Sequence, residues 1–342
     1  MSRSEITIDL GALRRNAAVV AEAAGGAELW AVVKADAYGH GAVDCARAAL
    51  EAGAPALCVA TAHEGSALRR ELPDPRILVL SPLAEADEDI ARDAGLEVAI
   101  SSPRIPEGLA VHVKLDTGMG RFGMSPEDAA GIDPARVVGV MSHLATADED
   151  DAAFARAQLD AFAAVAERFP GATRHVANSA ATLSIPEARL DAVRCGVALY
   201  GLSPFGRDPE EHGLEPILSW RSYVAQAKVL RSGDSTGYGR RFVAEGETRI
   251  GLVPVGYADG FRRGLTGTEV LVAGTRRRVL GTVSMDSFAV ELGDEPEGAP
   301  VTLVGDGVLV EEHARHAGTI NYEITTGIVS DARRADRLVI GG

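Results

Sequence analysis

Glu28-Leu-Trp-Ala-Val-Val-Lys-Ala-Asp-Ala-Tyr-Gly-His-Gly41 compresses a strand, a turn and a reactive side chain into fourteen residues. Residues 28–34 (ELWAVVK) are almost continuously apolar, the pattern of a parallel strand buried on both faces. Lys34 ends the run and a glycine-rich turn follows. Upstream, Leu10, Leu13, Ala17, Val20, Ala21 and Ala24 recur at helical spacing over 10–24. Downstream, strand-like runs recur at 56–60, 77–81, 96–101, 109–116, 136–144, 173–179 and 192–197, making eight with the first. Helical stretches separate most of them; in 151–169, Phe154, Leu159, Phe162 and Val165 form the apolar stripe. Alternation of this kind predicts an α/β fold, a (β/α)8 TIM-type barrel rather than an open sheet.

One repeat departs from the pattern. Only Ser102 to Gly108, with Pro103 and Pro106, joins the fourth and fifth strands. A parallel crossover normally needs about a dozen residues. Either a barrel helix is missing here or the fourth strand is misassigned. After residue 213 the texture changes to short strands (217–230, 248–256, 269–273, 277–283, 301–304) between glycine-rich turns, with one helix at 309–317. The chain therefore divides into a barrel over 1–213 and a mainly β domain over 214–342.

Composition narrows the function. A net charge of −15 argues against a nucleic-acid partner and fits a protein that handles small molecules. Cys45, Cys58 and Cys195 are dispersed and lack Cys-x-x-Cys spacing, so neither a zinc site nor a disulfide framework is expected. The sequence shows no signal core and no apolar run long enough to span a membrane, and a cytoplasmic protein is expected. The acidic stretch 148–151 (DEDD) reads as the cap of the helix behind it rather than as a metal cluster. His63, His112, His175, His212, His313 and His316 show no ligand spacing and read as surface or core residues.

A lysine at a strand end more often snorkels to solvent than reacts. In a cleft it can instead form an imine with an aldehyde cofactor, helped by desolvation. The full string VKADAYGHG resembles the cofactor-lysine motif of the alanine racemase family. Further matches follow in order: Lys114-Leu-Asp116-Thr-Gly118-Met-Gly120-Arg121-Phe-Gly123, Ser142-His143, Asn178-Ser179, Arg194-Cys-Gly196-Val197 with Tyr200-Gly201, and Gly237-Tyr238-Gly239-Arg240. Gly256-Tyr257-Ala258-Asp259-Gly260, Ser284-Met285-Asp286 and Tyr322-Glu323 complete the series.

The resemblance implies a fold-type III enzyme with pyridoxal 5'-phosphate (PLP) held by Lys34 as a Schiff base. It implies a barrel followed by a β domain, and a head-to-tail homodimer with shared active sites. Racemisation takes a proton from one face of the α-carbon and returns it on the other, so two bases are expected. The resemblance makes them Lys34 and Tyr238, the latter reaching the lysine of another subunit, with His143 and Arg194 supplying the tyrosine's environment. Arg194 is placed against the pyridine nitrogen, where it disfavours protonation and weakens the electron sink. Tyr38, Asn178, Ser179, Gly196, Val197 and Tyr322 match the cofactor-binding positions. Arg121 and the Met285 N–H would hold the substrate carboxylate. Tyr257, with Tyr322, would narrow the entrance. Lys114 matches a lysine that is carbamylated in many members. The implied activity is interconversion of L- and D-alanine, supplying D-alanine to peptidoglycan. A racemase of serine or of broad specificity on the same scaffold stays open, as does, more remotely, a PLP-binding protein without turnover. Asp36, His40, Asp116 and Asp286 receive no chemical step.

Overall fold

A computed structural model describes residues 2–342. A first strand, β1 (Glu5–Asp9), precedes the helix Leu10–Ala24. Eight strands follow: β2 (Glu28–Val32), β3 (Ala56–Val59), β4 (Arg76–Val79), β5 (Glu97–Ile100), β6 (Ala110–Lys114), β7 (Val137–Met141), β8 (Thr173–His175) and β9 (Ala192–Cys195). They pair in parallel in the order β8-β7-β6-β5-β4-β3-β2-β9. The two ends meet, because the Arg194 N–H donates to Ala177 O at 2.9 Å and the Asp191 N–H to Arg174 O at 3.1 Å. All eight strands expected from the sequence are present, and they close a barrel whose walls are buried on both faces.

The fourth expected strand is real, so what is missing is the helix between β5 and β6. The shortcut works because β5 has only four residues, rising about 13 Å, a distance nine extended residues easily return across. Arg104 pairs with Glu85 and Glu88, and the Arg92 Nε–H donates to Glu107 O at 3.2 Å, so the connection lies on the preceding helix Glu88–Asp93.

Two local expectations shift. The helix expected over 151–169 runs Ala153–Ala166 and buries Ala155, Gln158, Phe162, Val165 and Ala166, whereas Phe154 is exposed. The Asp151 carboxylate accepts the Ala153 N–H at 2.9 Å, so one residue of the acidic stretch does serve the helix start. In the helix Leu10–Ala24 the expected stripe is buried except at Ala21.

The second compact unit comprises the segment ending at Ala12, Gly206–Glu211 and Glu215–Gly342; the barrel unit is Leu13–Phe205 with His212–Leu214. A single cut at 213/214 misses the first of these segments. The alternating Ile6 and Ile8 of β1 are buried, and β1 pairs with β10 (Leu218–Tyr223) and in parallel with β19 (Asp336–Ile340). The other strands are β11 (Gln226–Leu230), β12 (Ser235–Thr236), β13 (Phe242–Val243), β14 (Thr248–Val253), β15 (Glu269–Val272), β16 (Thr275–Leu280), β17 (Phe288–Glu291) and β18 (Pro300–Val304). Nine of these form one sheet, ordered β11-β14-β17-β16-β15-β18-β10-β1-β19; β12 and β13 make a separate ribbon. The run 217–230 is thus two strands, and the expected helix is Val310–Ala317. No helix of the described residues is long and apolar enough to cross a membrane.

Candidate active site

Lys34 follows β2 after the single residue Val33, and the backbone then reverses hand. Ala35, Asp36, Ala37 and Tyr38 all have φ between 51° and 57°, a left-handed turn of four residues with Cβ atoms. Such a conformation costs about 1–2 kcal/mol per residue and persists only where the surroundings over-determine it. Here they do. The Ala35 N–H donates to Glu64 Oε1 at 2.9 Å, the Ala42 N–H to Asp36 Oδ1 at 2.7 Å, and the Ala37 N–H to Val33 O at 2.9 Å. His40 Nδ1 bonds Ala37 O at 2.8 Å, and its ring stacks on Tyr200 with centroids 4.7 Å apart. Tyr200 is fully buried and donates to Val32 O at 2.7 Å. Asp36 and His40 therefore shape the turn. Glu64 was not singled out in the sequence; its position in the capping box of helix Ala62–Glu71 disguised it.

Burial lowers the pKa of Lys34, and the cations Arg121 and Arg194 lower it further, against an opposing effect of Glu64. Lys114 points inward from β6 and is brought down to about 8 by burial together with Arg194, Arg121 and Lys34. Its ammonium donates to Leu80 O at 3.0 Å and faces no carboxylate among the described residues. Arg121 is exposed and makes no ion pair among the described residues. Asp116 Oδ1 accepts the N–H groups of Gly118 and Gly120, which fixes the loop that carries Arg121.

Arg194, on β9, is buried, and both of its terminal nitrogens are engaged. Nη1 donates to His175 Nδ1 at 2.8 Å and His175 O at 2.6 Å; Nη2 donates to Ser142 O at 2.7 Å and lies 3.5 Å from His143 Nδ1. The Nε–H has no acceptor among the described residues. Desolvation lowers Arg194 to about 10, so it stays a cation at neutral pH. Burial and the surrounding cations hold His143 down at about 3, hence neutral. Gln158, unforeseen inside an apolar stripe, donates to His143 O at 3.2 Å and accepts the Ala145 N–H at 2.9 Å, holding the loop after β7.

Ser179 and Gly196 meet at the same mouth. Ser179 Oγ accepts the N–H of Gly196 at 3.2 Å and of Ala198 at 3.4 Å. A Cβ on Gly196 would lie 2.6 Å from the Tyr38 hydroxyl, so only glycine leaves this cradle open. Val197 begins the next turn. Asn178 caps the short helix Ser179–Ser184, its Oδ1 accepting the Ala181 N–H at 2.9 Å. The fold thus gathers Lys34, Tyr38, Lys114, Arg121, His143, Asn178, Ser179, Arg194, Gly196 and Val197 at the C-terminal ends of barrel strands, where barrel sites are built.

Tyr238, Tyr257, Met285 and Tyr322 lie on the β unit. Tyr238 is 73% exposed, while its backbone is clamped: the Thr282 hydroxyl donates to Tyr238 O at 2.9 Å. Tyr257 and Met285 share one junction, with the N–H of Tyr257 on Ser284 O and that of Ala258 on Met285 O, both at 3.0 Å. Fully buried Asp259 ties it, receiving a two-pronged contact from Arg3 and one from Arg334, which also reaches Asp286. Arg3 and Arg334 lie near opposite chain ends, and nothing in their local sequence announces the pairing. Tyr322 is half-buried in the helix Asn321–Thr326.

Residues 8–204 match the family described as "Alanine racemase, N-terminal domain", and 217–336 match "Alanine racemase, C-terminal domain". The chain is 40% identical to the alanine racemase of Streptomyces coelicolor, covering 97% of this chain and 95% of that protein. It is 40% identical to that of Thermobifida fusca over 99% of each. Among solved structures, alanine racemase from D-cycloserine-producing Streptomyces lavendulae superposes with a TM-score of 0.93 at 38% identity, over 100% of this chain and 98% of that one. A Bartonella henselae alanine racemase with covalently bound pyridoxal phosphate superposes at 0.91 and 27% identity, over 99% of this chain and 100% of that one.

Proposed function

The chain belongs to the alanine racemase family, and from that membership we propose that it interconverts L- and D-alanine with pyridoxal phosphate anchored at Lys34. One observation carries the reading. Lys34 is a desolvated amine at a barrel mouth beside two arginines, one of which keeps a single unspent donor, Arg194 Nε–H. The open cradle at Gly196, Ser179 and Tyr38 suits a phosphate. Val197, Asn178 and Tyr322 complete its surroundings in this reading.

When bound, the cofactor acidifies the α-carbon proton of the amino acid and accommodates the electron pair left behind. The protein does the rest. Arg121, exposed and without an acidic partner among the described residues, would take the substrate carboxylate, and the Met285 N–H would give a second contact. Arg194 can only donate, so facing the ring nitrogen it would disfavour a proton there and moderate the electron sink. Lys34 would exchange the proton on one face and Tyr238 on the other, and His143, held neutral, and Arg194 would supply the tyrosine's environment. Tyr238, largely exposed on its own chain, serves the site of a second subunit in a homodimer. Tyr257 and Tyr322 limit side-chain size, which favours alanine. The product feeds peptidoglycan synthesis.

The test is an amino-acid panel with the purified protein and PLP, followed by chiral chromatography. Alanine is expected to racemise fastest; serine or larger residues reacting as fast would overturn the specificity. Lys114 gives a second measurement. A carbamate forms from the neutral amine, whose fraction rises as pH passes about 8 rather than the usual 10.5. The modified anion would face Arg121 and orient it. Intact mass at mildly alkaline pH in bicarbonate is expected to exceed that of Lys114→Ala by more than the side-chain difference, by one carboxyl group; equality with the bare amine refutes the modification.

A further inference from the structure

Barrel interiors are normally filled by branched apolar residues. This one carries a file of polar side chains from mouth to floor. Arg194 contacts His175 Nδ1; His175 Nε2 lies 2.9 Å from His112 Nδ1; His112 Nε2 lies 2.9 Å from Glu97 Oε2. At the floor, Arg76 grips both Glu97 oxygens at 2.8 and 3.0 Å. Both histidines are completely buried. Trp30 packs on them, with centroids 5.8 Å from His112 and 4.6 Å from His175. A Cβ on Gly139 would sit 2.0 Å from His112 Nδ1, so the strand beside the ring must carry glycine there.

The order of donors is forced. Arginine only donates, so His175 Nδ1 must be a bare acceptor. Burial lowers the pKa of both imidazoles, so each is neutral and carries one proton. The proton of His175 is then on Nε2, that of His112 also on Nε2, and the last bond ends on the Glu97 carboxylate, an acceptor only. Glu97 stays ionised, since the hydrogen bonds from His112 and Arg76 outweigh burial and hold it at about 2.

We propose that Glu97, at the barrel floor, is a positioning residue for Arg194, fixing the tautomers of His112 and His175 and thereby the aim of the guanidinium at the cofactor ring. The inference rests on the reading that Arg194 faces the ring nitrogen. Glu97→Leu combined with R76M tests it, and Glu97→Gln is the conservative control. Glu97 Oε2 accepts from both His112 Nε2 and Arg76 Nη2, so a glutamine oxygen at that position still serves both, loses only the Arg76 Nε contact and leaves the proton order unchanged. Leucine leaves His112 Nε2 without an acceptor, and a buried N–H without a partner is costly, so the proton moves to Nδ1, His175 must follow, and an N–H meets the N–H of Arg194. Removing Arg76 as well keeps leucine from stranding a cation beside it.

Neutron diffraction of holoenzyme crystals reads the ring protons directly. The expected result is Nε2–H on both rings in the unmodified enzyme and in E97Q, and Nδ1–H on both in E97L combined with R76M. Alanine kcat is expected to fall about tenfold to a hundredfold in the double variant, the usual scale for a supporting partner, and to stay within severalfold of the native value in E97Q. Unchanged tautomers in the double variant, or switched tautomers with unchanged kcat, overturns the inference. If the double variant does not fold, Glu97→Met with R76M, which offers His112 only a thioether, is read in its place by the same two criteria. A native enzyme that does not racemise alanine would instead fail the functional reading, leaving the proton order to be judged by diffraction alone.

Discussion

Lys34→Ala is expected to abolish the cofactor's visible absorbance and to reduce alanine racemisation to background, a loss of about 10⁴-fold or more. Two roles disappear at once, the anchor and one of the bases. The loss is not expected to come from unfolding. Lys34 makes no ion pair among the described residues, and burial lowers its pKa in the folded state. The unfolded chain therefore binds the proton more tightly, and this site's contribution to stability rises with pH as the folded pKa is passed. Below that pKa the buried ammonium costs stability in full, and alanine removes the cost. Measured without cofactor at neutral pH, the variant's melting temperature is expected to equal or exceed that of the unmodified protein. A protein that keeps its absorbance after this substitution has its cofactor anchored elsewhere.

The barrel was legible because burial on both faces leaves a strong mark. Runs such as 56–60 and 77–81 are too apolar and too short for anything but internal strands, and the structure has β3 and β4 there. Strand β1 left a weaker mark. Its five residues alternate, but they pair with β10 and β19, more than 200 residues away, and no local signal points that far. The stripe of the helix Ala153–Ala166 was misphased for a chemical reason. Gln158 occupies a core position because it supports two loops, so hydrophobicity alone pushed the inferred face toward Phe154.

Much of the site was equally legible, through motifs whose glycines and charges sit at fixed offsets. The supporting residues were not. Glu64, Arg3 and Arg334 act on partners distant in sequence, and their immediate surroundings are ordinary. His112 and His175 looked like core histidines, which they are; only the three-dimensional file shows that both contact ionisable groups. The left-handed turn after Lys34 could not be anticipated either, since Ala35 and Ala37 have no preference for that region.

Tyr238→Phe gives the sharpest test of the two-base arrangement, because thermodynamics restricts what it can do. Enantiomers have equal free energies, so kcat/KM must fall by the same factor in both directions, here about 10²- to 10⁴-fold for the loss of one acid–base group. Asymmetry must therefore be sought in exchange, not in turnover. In deuterated water, the enantiomer whose α-proton faces Lys34 is expected to keep exchanging without inverting, while its mirror image stops. Cofactor absorbance should be unaltered, since Tyr238 is exposed and its clamp uses the backbone oxygen rather than the phenol. Exchange lost equally from both enantiomers would leave Tyr238 as a structural residue only. The same variant tests whether the site is shared. Mixed and allowed to reassort with Lys34→Ala, itself inactive, it would form hybrid dimers in which one site has both native residues. About a quarter of all sites would then be intact under random pairing in a two-fold dimer. Activity emerging from two inactive proteins requires Lys34 and Tyr238 to come from different chains; a mixture that stays inactive despite demonstrated subunit exchange requires them to act within one.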